Sequence, residues 1–151
     1  MNYSNHHAAL AIRVATMIAR AILGLIFVIF GFNFFYQFIQ IPLPPPGSLA
    51  AKFMDAAFNS GFLAFVHVLE IAGGFLLLTG QFANMGLIFI GPIVVNILLY
   101  HFLILQAGYG LPIGLGVLLV LTLIGQRDFL MAILRRQKSH TSHPHTSHPA
   151  H

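Results

Sequence analysis

Apolar residues run almost unbroken through four stretches of the chain, at about 16–40, 61–81, 86–106 and 113–134. A bilayer hydrocarbon core of ~30 Å is crossed by about 20 helical residues, so each stretch suits one membrane-spanning helix. The pattern predicts an all-α fold, an integral membrane four-helix bundle. Gly24 and Gly31 in the first span lie seven apart, on one face that would let a neighbouring helix approach closely. Gly91-Pro92 predicts a kink in the third span, and Gly110, Gly114 and Gly116 offer a close packing surface on the fourth.

The breaks differ in kind. Residues 41–60, IPLPPPGSLAAKFMDAAFNS, are the one sizeable loop. Prolines from Pro42 to Pro46 bar a helix there and stiffen the exit. Residues 48–58 then place Leu49, Phe53 and Ala56 at helical spacing, which predicts a short amphipathic helix at the membrane interface. Residues 79–85 and 107–112 are short turns, so consecutive spans form tight antiparallel pairs. Three regions result: an N-terminal tail at 1–15, a four-span membrane domain at 16–138, and a His-rich tail at 139–151.

Composition sharpens this picture. The chain of 151 residues is 58% hydrophobic and only 7% charged, against about 25% charged in an average soluble domain. The formal net charge of +4 is no nucleic-acid signal, because the cations flank spans and set orientation. Arg13, Arg20, Arg127, Arg135, Arg136 and Lys138 fall on the side of both termini and Lys52 opposite, which puts both termini in the cytoplasm. The absence of cysteine excludes disulfides, thiolate metal sites and cysteine nucleophiles. The first span is too long for the apolar region of a signal peptide, so none is expected.

Of the charged residues, Glu70 alone is distant from a membrane surface. Burying a charge at that depth costs roughly 3 kcal/mol on insertion scales, so such a carboxyl faces a bundle interior or a wet cavity. His67 precedes it by three residues on the same helical face. Counting along the helices places His67 about 9 Å deep and Glu70 about 14 Å, with Asn96 about 15 Å, His101 about 8 Å and Asn33 about 9–10 Å. Glu70 and Asn96 therefore match in depth, with His67, His101 and Asn33 forming a layer above them. Tyr100 shares the face of Asn96, and Gln37 that of Asn33.

Two readings of this layer stand. Glu70 could be a hydrogen-bonded carboxyl that locks the bundle, accepting from His67, Asn96 or Tyr100. It could instead be part of a site for a ligand headgroup or a proton. Asn33 and Gln37 serve either as interhelical glue or as ligands. His101 lies about 140° around the helix from Asn96, which argues against a haem held between His67 and His101. The many phenylalanines read as lipid-facing and core packing. No phosphate-binding loop, dinucleotide fingerprint, zinc-protease motif or nucleophile elbow occurs, and no residue is assigned a catalytic role.

The last twelve residues, HTSHPHTSHPAH, repeat one pentad and carry His140, His143, His145, His148 and His151. They form either a divalent-metal ligand set or a disordered, weakly cationic tail.

In the order and spacing of its motifs the chain resembles the DoxX-like family of small four-helix bacterial membrane proteins. The matching segments are Arg20-Ala-Ile-Leu-Gly24 and Gly31-Phe-Asn33, the proline-rich loop with Ser60-Gly61-Phe62, Glu70-Ile-Ala-Gly73-Gly74-Phe-Leu-Leu-Leu-Thr-Gly80, and Gly91-Pro92-Ile-Val-Val-Asn96-Ile-Leu-Leu-Tyr-His101. The resemblance covers about residues 17–135. Many members carry a lysine shortly after the Gly-x-Asn of span one, where this chain has Phe34 and Phe35. The histidine-rich tail also lies outside the family pattern.

The resemblance implies a multi-pass protein of the bacterial cytoplasmic (inner) membrane with quinone or redox associations, and Glu70, Asn96 and His101 as family-matching polar positions. The expectation is an accessory subunit or quinone- or lipid-binding module of a membrane redox complex, not an enzyme on its own. The alternatives are a purely structural or assembly subunit, or a small transporter or metal handler. Expected partners are membrane lipids and other membrane subunits or further copies of the chain, not nucleic acid. Quinone is the one cofactor the resemblance brings forward.

Overall fold

The structure is a computed structural model that describes the backbone of residues 3–126 and the side chains of residues 7–126. Among these residues the chain is all α-helical. The elements are α1 (Tyr3–Tyr36), α2 (Leu49–Asn59), α3 (Phe62–Thr79), α4 (Ala83–Leu99), a π-helical turn continuing α4 (Tyr100–Leu105), and α5 (Gly110–Gly125). Three of them, His7–Tyr36 within α1, α3, and α4 with its π turn, are long and apolar enough to cross a membrane. The described part of α5 is a shorter apolar helix. The fourth predicted span beyond residue 126, with Arg127, Asp128, Arg135, Arg136 and Lys138, lies outside the described residues, as does the His-rich tail.

The expected N-terminal tail is helical from Tyr3 onward. Ala8, Ala9, Ala11 and Ala15 are strong helix formers, and neither glycine nor proline interrupts them before Gly24. At 34 residues α1 extends ~51 Å, well beyond the ~30 Å of a hydrocarbon core. It ends at Tyr36, four residues short of the sequence expectation, because Gln37 takes a left-handed φ of 52°. The short amphipathic helix is present as α2, capped by Ser48, whose Oγ accepts from the Ala51 N–H at 3.1 Å. Gly61, at φ 76°, then turns the chain into α3.

Helix α3 is the hub: it packs on α1, α4 and α2, while α5 closes against α1 and α4. The core runs through Leu23 and Phe27 of α1, Leu77 of α3, Ile90 and Val94 of α4, and Leu115 and Leu119 of α5. Missing Cβ atoms set two close approaches to α3. A Cβ on Gly74 would lie 2.7 Å from the Gly24 carbonyl oxygen, and one on Gly86 2.8 Å from that of Gly73. The glycine face expected on α1 is thus in use. The one expected on α5 is not: Gly110 and Gly114 have nothing within 4 Å, and Gly116 meets only Leu98. Helix α5 turns Leu115, Leu119 and Thr122 inward, and these leave Gly114 on the outside. Its close contact is instead Gly125, whose Cβ would come within 2.7 Å of Thr16.

The outer surface is dense with Leu, Ile, Val and Phe, including exposed Ile18, Ile22, Leu25, Phe65, Val68, Ile88 and Val120. Such a continuous apolar exterior suits hydrocarbon, not water. Pro92 sits within α4, where its missing N–H deprives the carbonyl four residues earlier of a partner.

Candidate functional site

Midway along α3, Glu70 is only 5% exposed, and its Oε2 lies 2.6 Å from Nδ1 of His67. The three-residue spacing puts both side chains on one stripe of the helix, so the contact is built by α3 alone. They share a proton along that line: Nδ1–H donates to the carboxylate, or, with the proton moved, the carboxyl donates to Nδ1. In a low-dielectric setting this short pairing offsets much of the cost of holding an acid inside the bundle.

The imidazole is fixed from a second direction. Gly31 lets the α1 backbone settle onto α3 beside His67, with a hypothetical Cβ 3.1 Å from the His67 carbonyl oxygen. Three residues further, Phe34 stacks on the imidazole at 4.3 Å between centroids and 25° between planes. Phe58, from the end of α2, meets Phe34 at 5.9 Å. His67 keeps 21% of its side chain exposed, and its Nε2 makes no hydrogen bond among the described residues. With Nδ1 committed, Nε2 is the atom a ligand would meet. From the sequence Phe34 was noted only with Phe35, after Gly31-Phe-Asn33, and Phe58 was not singled out; the signal for the stack was the position of Phe34 three residues after Gly31.

The other polar residues do not join this pair. Asn33 is buried, at 4% exposure, but both ends of its amide are spent on one residue. Its Nδ2 donates to the Ile39 carbonyl at 2.9 Å, and its Oδ1 accepts from the Ile39 N–H at 2.6 Å. It clamps the chain where α1 gives way to the proline-rich loop, so it is neither interhelical glue nor turned toward Glu70. Gln37 is exposed and ends α1, its backbone N–H donating to the Asn33 carbonyl at 2.8 Å.

Asn96 is exposed on α4, so the match in depth with Glu70 is not a contact. The core-facing residues Ile90, Ile93 and Val94 fix the rotation of α4, and Asn96 lies about 200° around from Val94. Tyr100 and His101 belong to the π turn. Tyr100 packs on Phe53 of α2 at 5.6 Å. The His101 Nδ1–H donates to the Ala107 carbonyl at 2.9 Å, which ties the turn before α5. The convergence of three helices on one polar layer is therefore reduced to His67 and Glu70, on a single helix.

Two cavities lie elsewhere, and neither touches that pair. One is an open apolar groove of about 390 Å³ between Leu98 and Phe102 on one side and Gly116, Val117 and Val120 of α5 on the other. The second, of about 200 Å³, lies at the opposite end of the bundle from the proline-rich loop, among Arg13, Thr16, Arg20, Thr122 and Gln126. Among the described residues, no group of three or more His, Asp or Glu side chains is placed to hold a metal ion. The proposed metal ligands of the tail lie outside those residues. Comparison of the chain with family models, curated proteins and solved structures finds no match.

Proposed function

We propose that this chain is a DoxX-like, four-span protein of the bacterial cytoplasmic membrane with both termini inside. In this reading it serves as an accessory, headgroup-binding subunit of a membrane redox complex, with a quinone as the preferred ligand class. One observation carries the proposal: an acid in the middle of an apolar helix, hydrogen-bonded to an imidazole whose second nitrogen has no partner among the described residues. The Phe34 ring, stacked on that imidazole, adds an aromatic wall. A quinone carbonyl would accept from Nε2–H, while the Glu70 carboxylate holds the ring in place and takes up or returns the Nδ1 proton. His67 is the ligand-touching residue here, and Glu70 positions it.

The test is gentle extraction of the intact assembly followed by mass spectrometry of its lipids, quinones and protein partners. The wild-type chain is expected to retain a quinone, and Glu70→Gln and His67→Leu to lose it while remaining folded. A purified wild-type chain with neither quinone nor a stable partner sinks the reading.

A second reading is favoured by the way Asn33 and His101 are already satisfied by their own backbone. In it, the His67–Glu70 pair is likewise a lock within a structural or assembly subunit. Glu70→Gln would then lower thermal stability and leave assembly and activity of the complex intact. A third, metal handling by the His-rich tail, predicts that deleting residues 140–151 changes metal sensitivity of the host cell.

A further inference from the structure

We propose that the cavity between α1 and α5 at the Arg20 end of the bundle binds a phosphate oxyanion, either a phospholipid headgroup or free phosphate. The site is distinct from His67 and Glu70 and does not depend on their role. Arg13 and Arg20 are seven residues apart, two turns along one face of α1, and Thr16 lies between them on the same face. All three line a cavity of about 200 Å³, together with Thr122, Gly125 and Gln126 of and after α5. A water occupies ~30 Å³ of liquid, so this space takes one tetrahedral oxyanion and several waters.

Among the described residues no acidic side chain lines the cavity, and neither arginine forms an ion pair. The Arg20 guanidinium rests against Gly80, with its terminal nitrogens 2.8 and 3.1 Å from where a Cβ would stand. Its Nε is buried without a hydrogen-bond partner, a condition that costs free energy until an acceptor is supplied.

The two hydroxyls have no proton left for an anion, because each spends its single O–H on a helix carbonyl. The Thr16 hydroxyl donates to the Arg13 carbonyl at 3.0 Å and the Thr122 hydroxyl to the Leu118 carbonyl at 2.7 Å. Donors left for an oxyanion are the two guanidinia and the Gln126 amide. Guanidinium forks match phosphate oxygens bidentately.

The position fits a headgroup. Arg20 sits level with the end of α3 at Thr79 and Gly80, and Gly125 at the end of α5 closes onto Thr16. Helix termini mark the depth at which apolar spans leave the hydrocarbon, which is where lipid phosphates lie. Basic pockets between helix ends on the cytoplasmic side are a recurring form of anionic-lipid recognition.

The experiment uses the full-length chain in detergent, offered equal amounts of phosphatidylglycerol and phosphatidylcholine, with retained lipid measured by native mass spectrometry. In a parallel arm, thermal unfolding of lipid-depleted protein is followed by circular dichroism in phosphate and in chloride at matched ionic strength. Preferential retention of phosphatidylglycerol, lost about tenfold in Arg13→Gln, supports a lipid phosphate. Stabilisation by inorganic phosphate that Arg13→Gln abolishes, without lipid preference, supports the free anion. Arg13 is exposed, so that variant keeps the fold; Arg20→Gln repeats the test at the buried end, and Arg13→Lys is expected to restore part of the binding. Equal retention of both lipids by wild type and Arg13→Gln, with no phosphate effect on either, overturns the proposal.

Discussion

The aromatic ring of Phe34 lies over the imidazole of His67, 4.3 Å between centroids and nearly parallel. This contact joins α1 to α3 at the level of the buried acid. A cation there would face the imidazole; a phenyl ring shields it. Replacing Phe34 by Leu keeps an apolar cover but removes the stack, which is worth about 1 kcal/mol beyond the area buried. The expected results are a lower unfolding midpoint and a downfield move of the His67 ring protons in the NMR spectrum. An unchanged His67 chemical shift would show that the rings do not stack in the membrane.

Glu70 and His67 are expected to be energetically coupled. Either single replacement, Glu70→Leu or His67→Leu, leaves one polar partner buried and costs about 2 kcal/mol. The double variant leaves neither, so it should be less destabilised than the sum of the two. Unfolding free energies of the four proteins in one detergent form the cycle, and strict additivity would mean that the 2.6 Å contact contributes no coupling.

Asn33 makes a different prediction, because both its bonds go to Ile39. Asn33→Leu should destabilise the fold by about 2 kcal/mol and free the chain at 37–48. Limited proteolysis reads the second effect directly. Asn33→Asp keeps the acceptor for the Ile39 N–H and loses the donor to its carbonyl, so it should fall between wild type and Asn33→Leu.

The glycines divide by location. Gly74→Ala would press a methyl group to 2.7 Å from the Gly24 carbonyl, which forces α1 away from α3 and costs about 2 kcal/mol. Gly114→Ala, with nothing within 4 Å, should be neutral or stabilising by up to about 1 kcal/mol. The same thermal unfolding measurement on both variants separates the two cases.

Much of the fold was legible in the residue pattern. The long apolar stretches, the proline-rich loop and the Ser48-capped helix all follow from local physics: a run of apolar residues, a missing N–H, a side chain that satisfies a free donor. The pairing of His67 with Glu70 was equally local, because residues three apart on one helix meet whatever surrounds them. The ends were less legible. Arg13 suggested a boundary, yet an alanine-rich segment continues α1 through it from Tyr3.

Sequence alone therefore determined the helical spans, the central place of α3 and the buried acid with its imidazole. Only the tertiary structure decided which way each helix turns. Depth along a helix is set by counting residues, whereas rotation about its axis is set by which side chains fill the core. The packing of Ile90, Ile93 and Val94 directed Asn96 outward, and Gly31 brought Phe34 onto His67. Asn33 was claimed by a backbone six residues ahead, a contact that exists only once the chain has reversed.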